Sequence, residues 1–129
     1  MIIEPVIIDF DSILGDTVRF TVTLNQPKAN EADPDVPVNL TGASVAAQCR
    51  AKARDTAVLA EFICTILDAE GGEVELYMPA SRARAMKAGA FPWDFQVTWA
   101  LLDGQEEPDV ETYVKGTWTV EQDVTRVGV

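Results

Sequence analysis

The sequence predicts an all-β fold: an antiparallel β-sandwich of about seven strands with one short helix. Three observations predict it. Apolar and polar residues alternate over most of the chain, the period of strands with one buried face. Turn-forming Gly, Asp and Pro recur at short intervals. Residues 79–88 alone lose the two-residue period and read as helix.

The clearest alternation lies in residues 91–102. Phe91, Trp93, Phe95, Val97, Trp99 and Leu101 share one parity, and Asp94, Gln96 and Thr98 break up the other. Aromatic and β-branched residues suit a half-buried pleated surface, so this is the expected central core strand. Upstream, residues 2–9 are apolar but hold Pro5, which predicts an edge strand or a docking arm within residues 1–10. A docking arm would be removable, leaving a folded core that assembles poorly. Gly15-Asp16 is a turn. In residues 17–24, Val18, Phe20, Val22 and Leu24 point inward.

Residues 25–37 are polar and broken by Pro27, Pro34 and Pro37, forming the longest loop. A strand over 43–51 turns Val45, Ala47 and Cys49 inward, with Gln48 and Arg50 outward. Another over 58–67 turns Phe62, Cys64 and Ile66 to one face. The turn Asp68 to Gly72 leads into a strand over 73–78, with Val74, Leu76 and Met78 inward. The helix over 79–88 has Ser81 as its expected cap and Gly89 as its stop, with Ala83 and Met86 facing the core. Asp103-Gly104 predicts a hairpin into residues 110–121. There Val110, Val114, Trp118 and Val120 point inward and Tyr113 outward. Gly116 marks a bulge or a crowded position. Residues 122–129 form a short tail. The pattern is immunoglobulin-like in outline, with a small closed barrel as the alternative.

Composition narrows function by exclusion. The chain has 129 residues, 47% of them apolar, which suits one domain with one core (residues 1–129). It carries 10 basic and 21 acidic residues, a net charge of −11 and no His. That field repels phosphate backbones and anionic membrane surfaces, so neither nucleic acid nor membrane is an expected partner. The absence of His removes the commonest general base and metal ligand. The N-terminus lacks the basic start of a signal peptide, and no apolar run approaches the roughly 20 residues of a membrane helix. Synthesis and retention in a cytoplasm until assembly are expected.

No catalytic, cofactor or metal residue is assigned, and the protein is expected not to be an enzyme. Ser12, Ser44 and Ser81 have no His to activate them. Cys49 and Cys64 alternate with apolar neighbours on strands read as adjacent, so buried thiols are expected rather than a disulfide. Asp33 with Asp35, or Asp68 with Glu70, can be imagined around Ca²⁺, but neither has the spacing of a calcium loop. Asp103, Glu106, Glu107, Asp109 and Glu111 make an acidic hairpin tip that suits a basic partner or simply protects a strand end. Arg82, Arg84 and Lys87 form a local positive patch, expected to make salt bridges within the domain or to a neighbouring subunit. Asn39-Leu40-Thr41 matches the glycosylation sequon, a triplet common by chance. Trp93, Trp99 and Trp118 suit a carbohydrate-binding platform only if exposed, and their parity buries them.

Several short motifs nevertheless occur in a telling order. They are Gly15-Asp16-Thr17, Pro37-Val38-Asn39-Leu40-Thr41-Gly42 followed by Ala47-Gln48-Cys49-Arg50, and Val74-Glu75-Leu76 after the Asp68 turn. Trp93-Asp94-Phe95-Gln96-Val97 comes next. Asp103-Gly104, Gly116-Thr117-Trp118-Thr119-Val120 and Asp123-Val124-Thr125-Arg126 close the chain. Residues 15–126 thereby resemble small immunoglobulin-like structural proteins of tailed bacteriophages and prophages, similar to the N-terminal domain of baseplate upper proteins. Family members often have Asp where this chain has Asn39, and baseplate upper proteins continue into further domains. The resemblance implies a virion component of a tail, baseplate or fibre attachment, localised to the virion. Its implied partners are other phage structural proteins, in a homo-oligomer or symmetric assembly. It offers no catalytic residues. The alternative function is a carbohydrate- or host-surface-binding module.

Overall fold

The structure, a computed structural model, describes residues 5–124. Part of the expected arm (1–4) and most of the expected tail (125–129), with Thr125-Arg126 of the resemblance, lie outside the described residues. Two β-sheets stack on a shared core, with one four-residue helix among the described residues. The larger sheet contains β1 (Val6–Ile7), β2 (Phe10–Ile13), β4 (Ser44–Cys49), β5 (Ala60–Glu61), β8 (Gly89–Thr98) and β9 (Val110–Glu121). The smaller contains β3 (Val18–Thr23), β6 (Ile63–Asp68) and β7 (Glu73–Met78), ordered β3-β7-β6.

The larger sheet is mixed, which corrects the purely antiparallel expectation. β1 and β2 both run parallel to β9, with Val6 opposite Val114, Phe10 opposite Trp118 and Ile13 opposite Glu121. The two strands keep one register, so residues 5–13 form a single edge segment interrupted at Ile8-Asp9. Of the two readings of residues 1–10, the described part is an edge strand. Alternation reports which face is buried and carries no information about strand direction.

The expected central strand holds. Trp93, Phe95 and Val97 are buried, between β4 on one side and β9 on the other. Its end differs: β8 stops at Thr98, and Leu101 is 55% exposed. Along β9, Phe95 pairs with Val114 but Gln96 pairs with Thr112, leaving Tyr113 as an extra, bulged residue. The bulge shifts parity, so Tyr113 is buried and Val110 is exposed, reversing both expectations. The run over 58–67 is two strands, because the chain changes sheets at Phe62. There the Phe62 N–H donates to the Ala47 carbonyl (2.9 Å), and its ring enters the core. Cys49 and Cys64 therefore sit in different sheets, as free thiols. The helix α1 (Ala80–Ala83) is shorter than expected. Pro79 caps it with no side-chain hydrogen bond, so Ser81 is not the cap and Gly89 opens β8. Ala83 and Met86 are buried as expected.

Five rings join the sheets. Phe10 lies 5.1 Å from Phe20, 5.5 Å from Trp93 and 5.6 Å from Trp118, and Phe62 contacts all four of these rings. Both buried indoles are satisfied by the edge segment. The Trp93 N–H donates to the Ile8 carbonyl (3.0 Å) and the Trp118 N–H to the Ser12 hydroxyl (2.7 Å). Gly116 makes this possible, since a Cβ there would overlap the Ile8 carbonyl. Beside it the Asp9 carboxylate replaces a ladder carbonyl, accepting the Thr117 N–H (2.9 Å). Gly72, at φ +67°, performs a similar task at the other end, where a Cβ would lie 2.6 Å from the Leu24 carbonyl oxygen.

Truncating Trp93 or Phe95 to Ala is expected to cost about 3–5 kcal/mol, a large part of a margin of about 5–15 kcal/mol, whereas Gln96→Ala changes little. Urea unfolding checks this, and equal tolerance at both parities would refute the strand assignment. Deleting residues 1–10 removes Ile8 and Phe10 from the core. It is expected to unfold the domain, contrary to the removable-arm expectation, and loss of the native near-ultraviolet signal would show it.

Candidate functional site

The outer face of the larger sheet carries a cleft of about 470 Å³ built from two cross-strand rows. One row runs Gln48, Asp94, Lys115 and Ile7; the other runs Arg50, Pro92, Thr117 and Asp9. Pro92 is the key to its shape. The Arg50 N–H donates to the Pro92 carbonyl (3.1 Å), but proline has no N–H to return. The β4 ladder ends there while β8 continues against β9. Arg50 is held across this low point, where one terminal N–H donates to Gln48 Oε1 (3.2 Å). Gln48 in turn donates to Glu61 Oε2 (2.7 Å). The buried Nε of Arg50 has no protein partner.

The electrostatics are mixed. Burial pushes the Asp94 carboxyl above its ordinary range, while the Arg50 charge and a hydrogen bond from Gln96 pull it back. Lys115 stands opposite Asp94 in register. Arg50 and Lys115 thus share the cleft with the Asp9 and Asp94 carboxylates, and no single sign of charge dominates it. The alternation had placed Arg50 outward without making it a site residue. The signal available was a proline within the strongest strand of the sequence.

A second candidate surface is the seam between the sheets. The edge segment pairs only with β9, and β3 pairs only with β7, so both present an outer edge among the described residues. Grooves of about 220 and 440 Å³ lie between them, lined by Ile8, Leu24 and Tyr113 at one end and by Phe10, Val18 and Phe20 at the other. Val6 and Ile7 are 61% and 59% exposed on this edge, and Ile13 is 38% exposed.

The remaining sequence candidates are dispersed. Asp35 pairs with Lys28, and Asp68 Oδ1 accepts the Gly71 N–H (3.0 Å), which makes it a turn residue. Among the described residues no three Cys, Asp or Glu side chains are arranged to hold a metal. The Asn39 side-chain Oδ1 accepts both the backbone N–H and the hydroxyl of Thr41. Trp93 and Trp118 are buried, and the half-buried Trp99 donates to Glu111 Oε1 (2.6 Å), so the tryptophans form no exposed platform. Arg82 donates to the Glu61 carbonyl (2.8 Å). Among the described residues none of Arg82, Arg84 and Lys87 makes the expected salt bridge within the domain; the ion pairs there are Arg19–Glu75 and Lys28–Asp35. No helix among the described residues is long and apolar enough to cross a membrane. No protein-family model matches the chain, and no curated protein matches it.

Arg50→Met is expected to move the Asp94 carboxyl further upward, because the nearby cation favours its ionised form. A carboxyl ¹³C titration reads the shift directly, and an unchanged value would separate the two groups. Burial raises both thiols from about 9.0 to about 11. Below pH 9 both states hold these protons; above it the unfolded chain ionises first. Stability is therefore expected to fall between pH 9 and 11, where Tyr113, raised by burial, begins to add to the effect. A Cys49→Ala/Cys64→Ala variant should show a shallower fall in the urea midpoint across that window.

Proposed function

We infer that this chain is a structural component of a tailed-phage particle, an immunoglobulin-like β-sandwich held in a tail, baseplate or fibre attachment by protein–protein contacts. The observation that carries the reading is the open edge of the larger sheet, where Val6, Ile7 and Ile13 are exposed beside unpaired backbone. An edge strand is a template for another chain, and proteins that stay monomeric usually blunt it with charge, proline or a covering segment. The described edge carries Pro5, Asp9 and Asp11, yet Asp9 is turned onto the Thr117 N–H and Val6, Ile7 and Ile13 remain exposed next to the open edge of β3. The order of short motifs over residues 15–126 supports the same reading and supplies its phage context. The work of such a protein is done by surface and fixed geometry.

Mass spectrometry of purified particles from a host producing the protein is expected to find the chain in fixed stoichiometry. Val6→Lys/Ile7→Lys should fold with an unchanged melting temperature and enter particles several-fold less well. Wild-type incorporation of that variant would remove the edge from the contact, and absence of the native chain from particles would overturn the reading.

A further inference from the structure

The strand directions sort the connections into two ends. At one end lie residues 24–43, 69–72 and 99–109; at the other lie residues 14–17, 50–59 and 79–88. Hydrogen bonds tie each group together. Leu40 N–H donates to the Ala69 carbonyl (2.7 Å) and Leu24 N–H to the Gly72 carbonyl (2.8 Å) at the first end, and Arg82 reaches the Glu61 carbonyl at the second.

Charge follows the same division. The first group of connections holds Glu31, Asp33 and Asp35 in its long loop and Glu70 in its tight turn. The loop before β9 adds Asp103, Glu106, Glu107 and Asp109, and Lys28 is the one base in the whole group. The second group reverses this, with Arg50, Lys52, Arg54, Arg82, Arg84 and Lys87 against Asp16 and Asp55, to which Asp123 after β9 adds a third acid at that end. None of those six cations forms an ion pair among the described residues. Each end also exposes aliphatic side chains: Leu101 (55%) and Leu102 (64%) at the acidic end, Val58 (41%) and Leu59 (43%) at the basic end.

We propose that copies of this chain associate head to tail, the acidic end of one molecule seated on the basic end of the next, with the exposed aliphatic side chains of the two ends in contact. Opposite charges around an apolar centre match the polar rim and desolvated core of specific interfaces. The contact is heterologous, because each copy offers two different surfaces. It therefore generates rings or open stacks rather than a closed pair. The proposal names a second copy as a partner and does not depend on the phage reading, since its test uses the purified protein alone.

Zero-length carbodiimide coupling of the wild-type chain provides the first measurement. Ten residues of β8 at about 3.3 Å each hold the two ends roughly 30 Å apart, so a link from Lys52 or Lys87 to Glu106 or Glu107 joins two molecules. Such links are expected, together with a ladder of species beyond the dimer in sedimentation velocity. Lys52→Glu/Arg84→Glu/Lys87→Glu and Asp103→Lys/Glu106→Lys/Glu107→Lys alter exposed side chains only, and circular dichroism verifies that each variant folds. Each variant alone should lose the ladder. Their equimolar mixture should restore association, beginning with the intact acidic end of the first seated on the intact basic end of the second. A wild-type chain that stays monomeric, or stops at a dimer, overturns the proposal. So does a ladder that survives either triple variant.

Discussion

Everything in this fold leans on the fit between Ile8 and Gly116. At that point the N-terminal segment comes so close to β9 that only a glycine can face it, and the Ile8 carbonyl continues past the ladder to accept the Trp93 indole. Four residues further, the Ser12 hydroxyl satisfies Trp118. Buried indole N–H groups are costly to leave unmet. The largest side chains of the core can thus be buried only because an edge strand supplies their partners. Phe10, between those two contacts, then closes the ring cluster against Phe20 of the opposite sheet. One backbone approach fixes the edge strand, the indoles and the sheet-to-sheet distance together.

That arrangement explains which parts of the fold were legible in sequence. The inward parities of β3, β4, β7 and β8 follow from side chains alone, because a one-residue error would expose a whole row of large apolar groups. Val22, Ala47, Leu76 and Phe95 lie where alternation placed them. What alternation could not carry was partnership. Parallel pairing of residues 6–13 with β9 leaves the same face buried as antiparallel pairing would. The bulge at Tyr113 changes parity with no local breaker to announce it, and the sheet change at Phe62 occurs with no Gly or Pro between residues 58 and 67. Gly116 did carry a signal, as the glycine on an inward-facing row of bulky residues, though its cause is backbone from 108 residues away.

The candidate surfaces were less legible for a related reason. Arg50 is an ordinary outward residue in the alternation; it lies over the point where Pro92 ends the ladder, with its Nε buried and unpartnered. Residues 2–9 read as an edge strand or a docking arm, and pairing with β9 alone leaves Val6 and Ile7 at the open edge of the sheet, where they are exposed. In both cases the useful property belongs to a cross-strand row, and rows exist only once the register is known.

Net charge hides as much as it shows. A value of −11 reads as a uniformly acidic surface, yet the connections divide it so that one end holds a cationic excess. The strands between the ends are themselves acidic, with Asp11, Glu61, Asp68, Glu73, Glu75, Asp94, Glu111 and Glu121 against Arg19 and Lys115. At about 0.15 M salt a charge is screened beyond about 8 Å. Two such molecules in contact therefore sense the ends that touch far more than each other's total charge. The acidic total keeps free molecules apart in dilute solution, while the polarised ends set the orientation in which they meet. A fold whose strands all run between two ends turns the composition of its loops into a direction.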